Sequence, residues 1–475
     1  MSMSESAAMV PEGRRALALW VVLAAQLMLQ MDFLIVIVAL PRIQNDLGFD
    51  ALTLSWVPNA FGLAFGGLLL LGGRLGDMIG QVRAFRIGLI IFVTASLLGG
   101  LAQTPVALII ARVVQGVGAA LAGPSVLALV MTMARDDAER AKVLSLFIAV
   151  SSIGASAGLI LGGFLTEFLS WRWSLLINVP AGVVVIGMIG RLVTETQPKA
   201  AKLDLVGAIT ATGGSAALVY GFISAADGGW LAKGTIPSFV VAAALFVLFL
   251  RAERVHKAPL LDLRLLHNRS RLASLVVMAL IVGMHFSVIF LLIQYIQQVL
   301  GWTPLFAGLA YLPLTATVFA IMHFMPGLMR QFPAKGLVAM GSFLVAVSFL
   351  GFALLRDDGC YFPGVLAPLL IHACGIALVL APGTVAIMHG VPVEQAGAAS
   401  GLLQMDQQIG GALGIAIVTS MYAIGAVPGQ FSSGLPVAFF GAAVIALVAA
   451  IIAWSAVGLT PRPRAGGTDG IRAAP

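Results

Sequence analysis

Long apolar stretches broken by short polar segments run the length of the chain. They fall at 17–39, 52–73, 84–102, 105–130, 142–166, 174–193, 204–225, 235–251, 272–297, 305–329, 335–355, 363–388, 398–423 and 437–458. Each comes close to or exceeds the ~20 residues that a helix needs to cross a bilayer core. Backbone N–H and C=O groups find no water there, so each stretch reads as a helix. The pattern predicts an all-α polytopic membrane protein with fourteen transmembrane helices. The runs at 84–102, 204–225 and 235–251 are the weakest, being short or rich in glycine.

Composition agrees. Hydrophobic residues fill 60% of the 475 positions and charged residues 10%, with a mean hydropathy of +1.03. A water-soluble domain carries about 25% charged residues. The net charge of +7 does not point to nucleic acid, because the basic residues are scattered over many short loops. They sort by side instead. With both termini inside, the inner side receives 22 of the 27 basic residues, among them Arg14, Arg15, Arg135, Arg140, Lys142 and the six from Arg251 to Arg271. Arg42, Arg172, Lys233 and Arg356 fall outside, and Arg112 is left within a helix. This bias predicts cytoplasmic termini in a plasma or inner cell membrane. The first sixteen residues are polar and the run after them is long enough to span, so no signal peptide is expected. Cys360 and Cys374 do not make a disulfide framework or a metal site.

The spacing also divides the chain. Residues 1–16 are expected to form a cytoplasmic N-terminal segment and 17–193 a six-helix bundle. Residues 194–251 add two helices, and 252–271 form a basic cytoplasmic linker. Residues 272–458 form a second six-helix bundle, and 459–475 a disordered tail rich in Pro, Gly and Arg. Six helices, two, then six is the layout of a two-bundle transporter with an inserted helical pair.

The chemistry lies in the few polar residues inside the runs. Asp32 sits in LMLQMDFLIVIVALP, residues 27–41. An ionisable group in hydrocarbon is neutralised, paired or turned to a water-filled cavity. Arg112 lies in the fourth run and keeps its charge. At 1.5 Å per residue, Asp32 lies roughly 10–13 Å and Arg112 roughly 10 Å below the outer ends of their helices. The shared depth leaves open whether they face each other. Spacings of three and four put Arg112, Gln115, Gly116, Ala119 and Gly123 on one side of the fourth helix. Burial disfavours a charged carboxylate and a nearby cation favours it. A site opening to each side in turn can therefore bind a proton on one and release it on the other. A neutral carboxyl held by hydrogen bonds, and an arginine acting as a structural tether, fit the same residues.

Between the second and third helices, GGRLGDMIGQVR (72–83) sets Gly73 and Gly80 among Arg74, Asp77 and Arg83. Glycine permits the tight turn, and the charges can hold neighbouring helix ends. Gly154, Gly158 and Gly162, four apart in the fifth helix, predict close packing on another helix. Gln30, Asn59, Gln115, His285, Gln294 and Asp406 are the candidate lining of a substrate cavity. Asp406 stands in GLLQMDQQIGGALG (401–414), about 12 Å from the inner end of its helix. His285, His323 and His372 show no ligand spacing and read as bonded packing groups. No nucleophile triad, phosphate-cradling loop or zinc motif is found. Neither enzyme activity nor a cofactor or metal is therefore expected.

Together these stretches resemble the major facilitator superfamily, and most of all its fourteen-span drug:proton antiporters. The Gly73–Arg83 stretch is similar to the signature loop between helices 2 and 3. RVVQGVGAALAGPS (112–125) resembles the helix-4 motif, MDFLIVIVALP (31–41) the helix-1 motif, and SWRWSLLINVP (170–180) the signature between helices 5 and 6. The resemblance implies two six-helix bundles of the major facilitator type, two extra central helices, a central cavity and alternating access. It implies that Asp32 handles protons with Arg112 as its electrostatic partner. It implies that Asp77 steadies one state through contacts between the bundles, with the loop and helix-5 glycines serving in gating. Three departures stand out. Leu34 and Ile37 replace polar residues usual near Asp32, which leaves it more isolated. Met78 and Gln81 replace basic residues of the loop motif and weaken its charge lock. Leu159 replaces the usual helix-5 proline, which weakens the inference of export.

The expected function is proton-coupled export of small lipophilic drugs or metabolites by a monomer in the lipid bilayer. The proton gradient is the energy source and no nucleic acid partner is involved. Proton-coupled uptake of a metabolite is the alternative that Leu159 keeps open. A non-transporting membrane scaffold or sensor is the alternative of another class, and the absence of any large soluble domain speaks against it.

Overall fold

The computed structural model describes residues 12–50, 53–134, 137–198, 204–255, 267–391, 396–427 and 429–458. Among these residues are fourteen helices long and apolar enough to cross a membrane. In the first half these are α1 (Glu12–Leu47), α2 (Trp56–Ile79), α3 (Gln81–Gly100), α4 (Pro105–Thr132), α5 (Asp137–Phe168), α6 (Asn178–Leu192), α7 (Leu205–Gly228) and α8 (Thr235–Val255). In the second half they are α9 (Arg269–Gln298), α10 (Leu312–Gln331), α11 (Ala334–Phe352), α12 (Leu366–Met388), α13 (Ala396–Gly425) and α14 (Leu435–Ala456). Short helices Trp173–Leu176 and Pro304–Leu309 lead into α6 and α10.

Several helices overrun the apolar stretches. The first begins at Glu12, inside the segment 1–16 expected to precede it. The eighth runs to Val255 and the ninth starts at Arg269, so both enter the expected linker 252–271. Residues 256–266 of that linker, and the expected disordered tail 459–475, lie outside the described residues. Hydropathy marks only the part of a helix that suits hydrocarbon. The helix itself continues until its end groups find a cap. Asn268 accepts from the Arg271 N–H at 3.1 Å at the start of α9. Asp204 accepts from the Gly207 N–H at 2.7 Å at the start of α7. Thr104 caps α4 ahead of Pro105, whose ring suits the first turn.

Helices α1–α6 form one bundle, with α4 packed along α2 and α3, and α1 along α5 and α6. Helices α9–α14 form the other, with α11 along α12 and α14, and α13 along α9. The extra helices α7 and α8 pack on each other, and α7 lies across both α2 and α13. The additional pair therefore sits on the seam between the bundles. Gly154, Gly158 and Gly162 set α5 against α1: a Cβ on Gly158 would come 2.8 Å from the Met31 carbonyl oxygen.

The two ends of the described chain share one face, called here the terminal face. Arg14 reaches the Arg191 carbonyl at the end of α6, and Arg15 reaches the Met133 carbonyl just past α4. The Gly458 N–H donates to Ser270 at the start of α9, at 2.6 Å. Toward the opposite face the bundles are pinned together. Gln297 donates to the Val38 carbonyl at 2.9 Å, and the Leu305 N–H donates to the Glu167 carboxylate at 3.0 Å. There Gly163 of α5 meets the backbone of Pro304 and Leu305.

Candidate transport site

Asp32 and Arg112 meet in the interior of the first bundle, both with 0% exposure. Arg112 Nη1 donates to Asp32 Oδ2 at 2.5 Å and to Gln115 Oε1 at 2.7 Å. Its Nε donates to the Val57 carbonyl at 3.2 Å, and its guanidinium lies 4.4 Å over the Phe61 ring. Arg112 Nη2 has no hydrogen-bond partner. The other carboxylate oxygen, Oδ1, accepts from Gln115 Nε2 and Asn178 Nδ2, each at 2.7 Å. Both amides also donate to Ser96 Oγ, at 2.8 and 3.0 Å. Ser96 donates in turn to the Leu175 carbonyl at 3.2 Å. Helices α1, α3, α4 and α6 thus converge on one carboxylate.

This overturns the expectation that Asp32 is isolated. Leu34 and Ile37 are buried apolar residues, as their types suggest. The polar neighbours come from other helices. Asn178 lies in the INVP stretch quoted for its motif, so a signal existed. Ser96 sits in an ordinary apolar run and gave none. Hydrogen bonds to an ionised group are about twice as strong as neutral ones. Three donors converge on one charge, Arg112 at Oδ2 and Gln115 and Asn178 at Oδ1, and protonating Asp32 would remove the charge that strengthens their bonds.

The 72–83 stretch, expected as a loop, is helical except at Gly80, and it is braced by a residue the sequence did not flag. Gly80, with φ of +96°, joins α2 to α3 in a conformation that side chains rarely adopt. Glu195, just past α6, accepts from the N–H groups of Val82 and Arg83, both at 2.9 Å, and so caps α3. Its carboxylate also lies 3.9 Å from Arg83 Nε. The Gln81 N–H donates to Thr196 at 2.8 Å. Gly73 faces Pro124 of α4. Asp77 does not reach across to the second bundle through its hydrogen bond, which comes from Gln81 Nε2 at 3.0 Å. Gln81, one of the departures from the family loop, supplies that bond in place of a charge pair.

The six cavity candidates are dispersed. Gln115 belongs to the Asp32 network. Gln30 of α1 packs against Gly154 of α5. Asn59 is 1% exposed on α2, and neither of its amide atoms has a partner. Gln294 is buried and donates to the Phe290 carbonyl of its own helix at 3.1 Å. Asp406 is half-buried, with Oδ2 enclosed and without a partner. His285 is paired: its Nδ1 lies 3.1 Å from His372 Nε2. The sequence reading placed these histidines in separate helices without linking them.

Two helical bundles, joined across a seam and holding a buried ion pair, define a membrane transporter rather than an enzyme. The chain belongs to the Major Facilitator Superfamily, whose family profile matches residues 22–415. It is similar to EfpA, an MFS-type transporter of Mycobacterium tuberculosis. The two are 37% identical over 397 residues, which is 83% of this chain and 75% of the relative. It is also similar to the cephamycin export protein CmcT of Amycolatopsis lactamdurans, 35% identical over 442 residues, 92% of this chain and 91% of the relative. Among solved structures, an auto-inhibited POT family peptide transporter shares the fold, with a TM-score of 0.67 at 15% identity over 92% of this chain and 96% of the other.

Proposed function

We propose that this transporter exports small, largely lipophilic molecules across the cell membrane in exchange for protons. Both termini lie in the cytoplasm, one chain is the working unit, and the proton gradient alone supplies the energy. The observation that carries the reading is the Asp32 carboxylate, fully enclosed yet bonded to Arg112, Gln115 and Asn178. A similar protein named for cephamycin export supports the outward direction.

Protonation of Asp32 cancels one charge of a pair that has no solvent to replace it. Arg112 then faces a neutral carboxyl, and Gln115 Oε1 and the Val57 carbonyl are its other acceptors. That change bears on α1 and α4 together, and α1 also touches the second bundle through Val38 and Gln297. Alternating access requires those contacts to part while the terminal face closes. Gly73, Asp77, Gly80 and Arg83 serve that motion at the terminal end, and Gly154, Gly158 and Gly162 let α5 slide on α1.

Inside-out membrane vesicles test the proposal, with ethidium as a lipophilic cationic probe. An acid interior should drive ethidium accumulation by the wild-type protein and none by Asp32→Asn. Unchanged gradient-driven accumulation in that variant rules out the role given to Asp32. Intact cells making the protein should hold less ethidium than control cells. A higher content would reverse the direction to uptake.

A further inference from the structure

A row of rings crosses the molecule from one bundle to the other. Phe65 and Phe61 of α2 lie 5.8 Å apart, and Phe61 lies 6.3 Å from Phe33 of α1. Phe33 lies 4.8 Å from Phe286 of α9, which adjoins His285 at 5.8 Å. His285 in turn lies edge to edge with His372 of α12, their ring centres 5.3 Å apart and their planes nearly parallel at 9°. The step from Phe33 to Phe286 is a contact between bundles. Phe33 follows Asp32 in sequence, and Phe61 lies under Arg112, so the row passes beside the ion pair. Helices α1, α2 and α9 are among the most enclosed of the spans. Even so, Phe65, Phe33, Phe286 and His285 are only half-buried.

The histidine pair has a defined proton arrangement. The Ser348 hydroxyl donates to the Val345 carbonyl at 2.6 Å, which leaves its oxygen to accept from His372 Nδ1–H at 3.2 Å. His372 Nε2 is then an acceptor, and His285 Nδ1–H donates to it at 3.1 Å. A neutral imidazole with its proton on Nδ1 carries a lone pair on Nε2. No hydrogen-bond partner takes the Nε2 of His285 among the described residues. An unused acceptor therefore stands at the end of an aromatic surface. His372 and Ser348 are positioning residues that hold it in that form.

We infer that Phe65, Phe33, Phe286 and His285 form a substrate subsite for planar aromatic molecules that carry a hydrogen-bond donor, such as a phenolic hydroxyl or an anilide N–H. The inference rests on the transport reading above and gives it a substrate class. Rings of the substrate lie against the phenylalanines in offset or edge-on contact. The donor meets His285 Nε2. Apolar sites with a few placed polar groups bind small molecules in this way. One neutral hydrogen bond corresponds to about three- to tenfold in affinity.

A matched pair of fluorescent probes tests this: 7-hydroxycoumarin, which has the donor, and 7-methoxycoumarin, which lacks it. Binding is measured by fluorescence anisotropy on the full chain in lipid nanodiscs at about pH 6, with no gradient. The wild-type protein should prefer the hydroxyl compound by about three- to tenfold. His285→Leu should abolish the preference while methoxycoumarin binding stays within about twofold. His285→Gln, whose side-chain oxygen still accepts, should keep part of it. Phe33→Ala should weaken both probes together. Equal affinity for the two probes in the wild-type protein, binding of neither, or a preference that survives His285→Leu overturns the inference. Should His285→Leu not fold, the wild-type comparison and His285→Gln decide alone. The gradient assay with Asp32→Asn answers separately for proton exchange, so either idea can fail while the other stands.

Discussion

A buried charge is stable only with its counter-charge. Asp32 and Arg112 have no exposure, and removing one partner strands the other, at a cost of about 3–5 kcal/mol. Asp32→Asn should therefore lower the thermal midpoint of the purified protein as well as stop proton-driven flux. The double change Asp32→Asn with Arg112→Gln removes both charges. It should regain most of the lost stability and still fail to exchange protons. A double variant no more stable than the single one would show that stranded charge is not the cause. Asn178→Leu removes one of the donors to the carboxylate, worth about 1.5–3 kcal/mol for a bond to a charged group. Its melting point should fall less than that of Asp32→Asn, and a wild-type melting curve would deny Asn178 this place. At this scale the sequence put Asp32 and Arg112 at similar expected distances from the outer ends of their helices. It misjudged the surroundings of Asp32, because beyond Arg112 only neighbours within one helix were weighed, and Ser96 of α3 and Asn178 of α6 were out of view.

Between helices, the same small residue does two different jobs. Gly283 of α9 packs within the second bundle, where a Cβ would lie 2.6 Å from the Gly410 carbonyl oxygen of α13. Gly163 of α5 packs across the seam, where a Cβ would lie 2.5 Å from the Pro304 carbonyl oxygen. The Gly283 contact holds its bundle together, whereas a contact across the seam must open in each transport cycle. Gly283→Leu should yield little folded protein. Gly163→Leu should give monodisperse protein with a near wild-type melt and at least about tenfold lower ethidium flux, because the face opposite the termini no longer closes. The reverse pattern, in chromatography and vesicle assays, would make the α5 contact a folding contact. The helix-5 glycine spacing announced a close contact, but not its partner α1, since spacing fixes a face and not what lies against it.

The whole molecule is two bundles with a brace on the seam. Leu63 of α2, Val219 and Ile223 of α7, and Ala412 and Ala416 of α13 form a small core of their own. Ser420 of α13 donates to the Phe222 carbonyl of α7 at 2.5 Å. Replacing residues 199–266 by a flexible linker should leave twelve helices that still insert, since insertion follows the hydropathy of each span. The shortened protein should melt earlier and lose gradient-driven flux, as α2 and α13 lose the helix that lies across both and keep only their direct contact. Undiminished flux would make α7 a passenger. The number and order of the spans were legible in the sequence alone, because the bilayer imposes those requirements on each segment locally. Which polar groups meet was decided only by the tertiary structure. In lipid, the outward face of a helix is as apolar as its packed face: on α3, Leu89 is 0% exposed and Leu98 59%. No polar stripe marks how each helix is turned. The arrival of Ser96 and Asn178 at Asp32, and of His372 at His285, therefore depends on rotations that only packing sets.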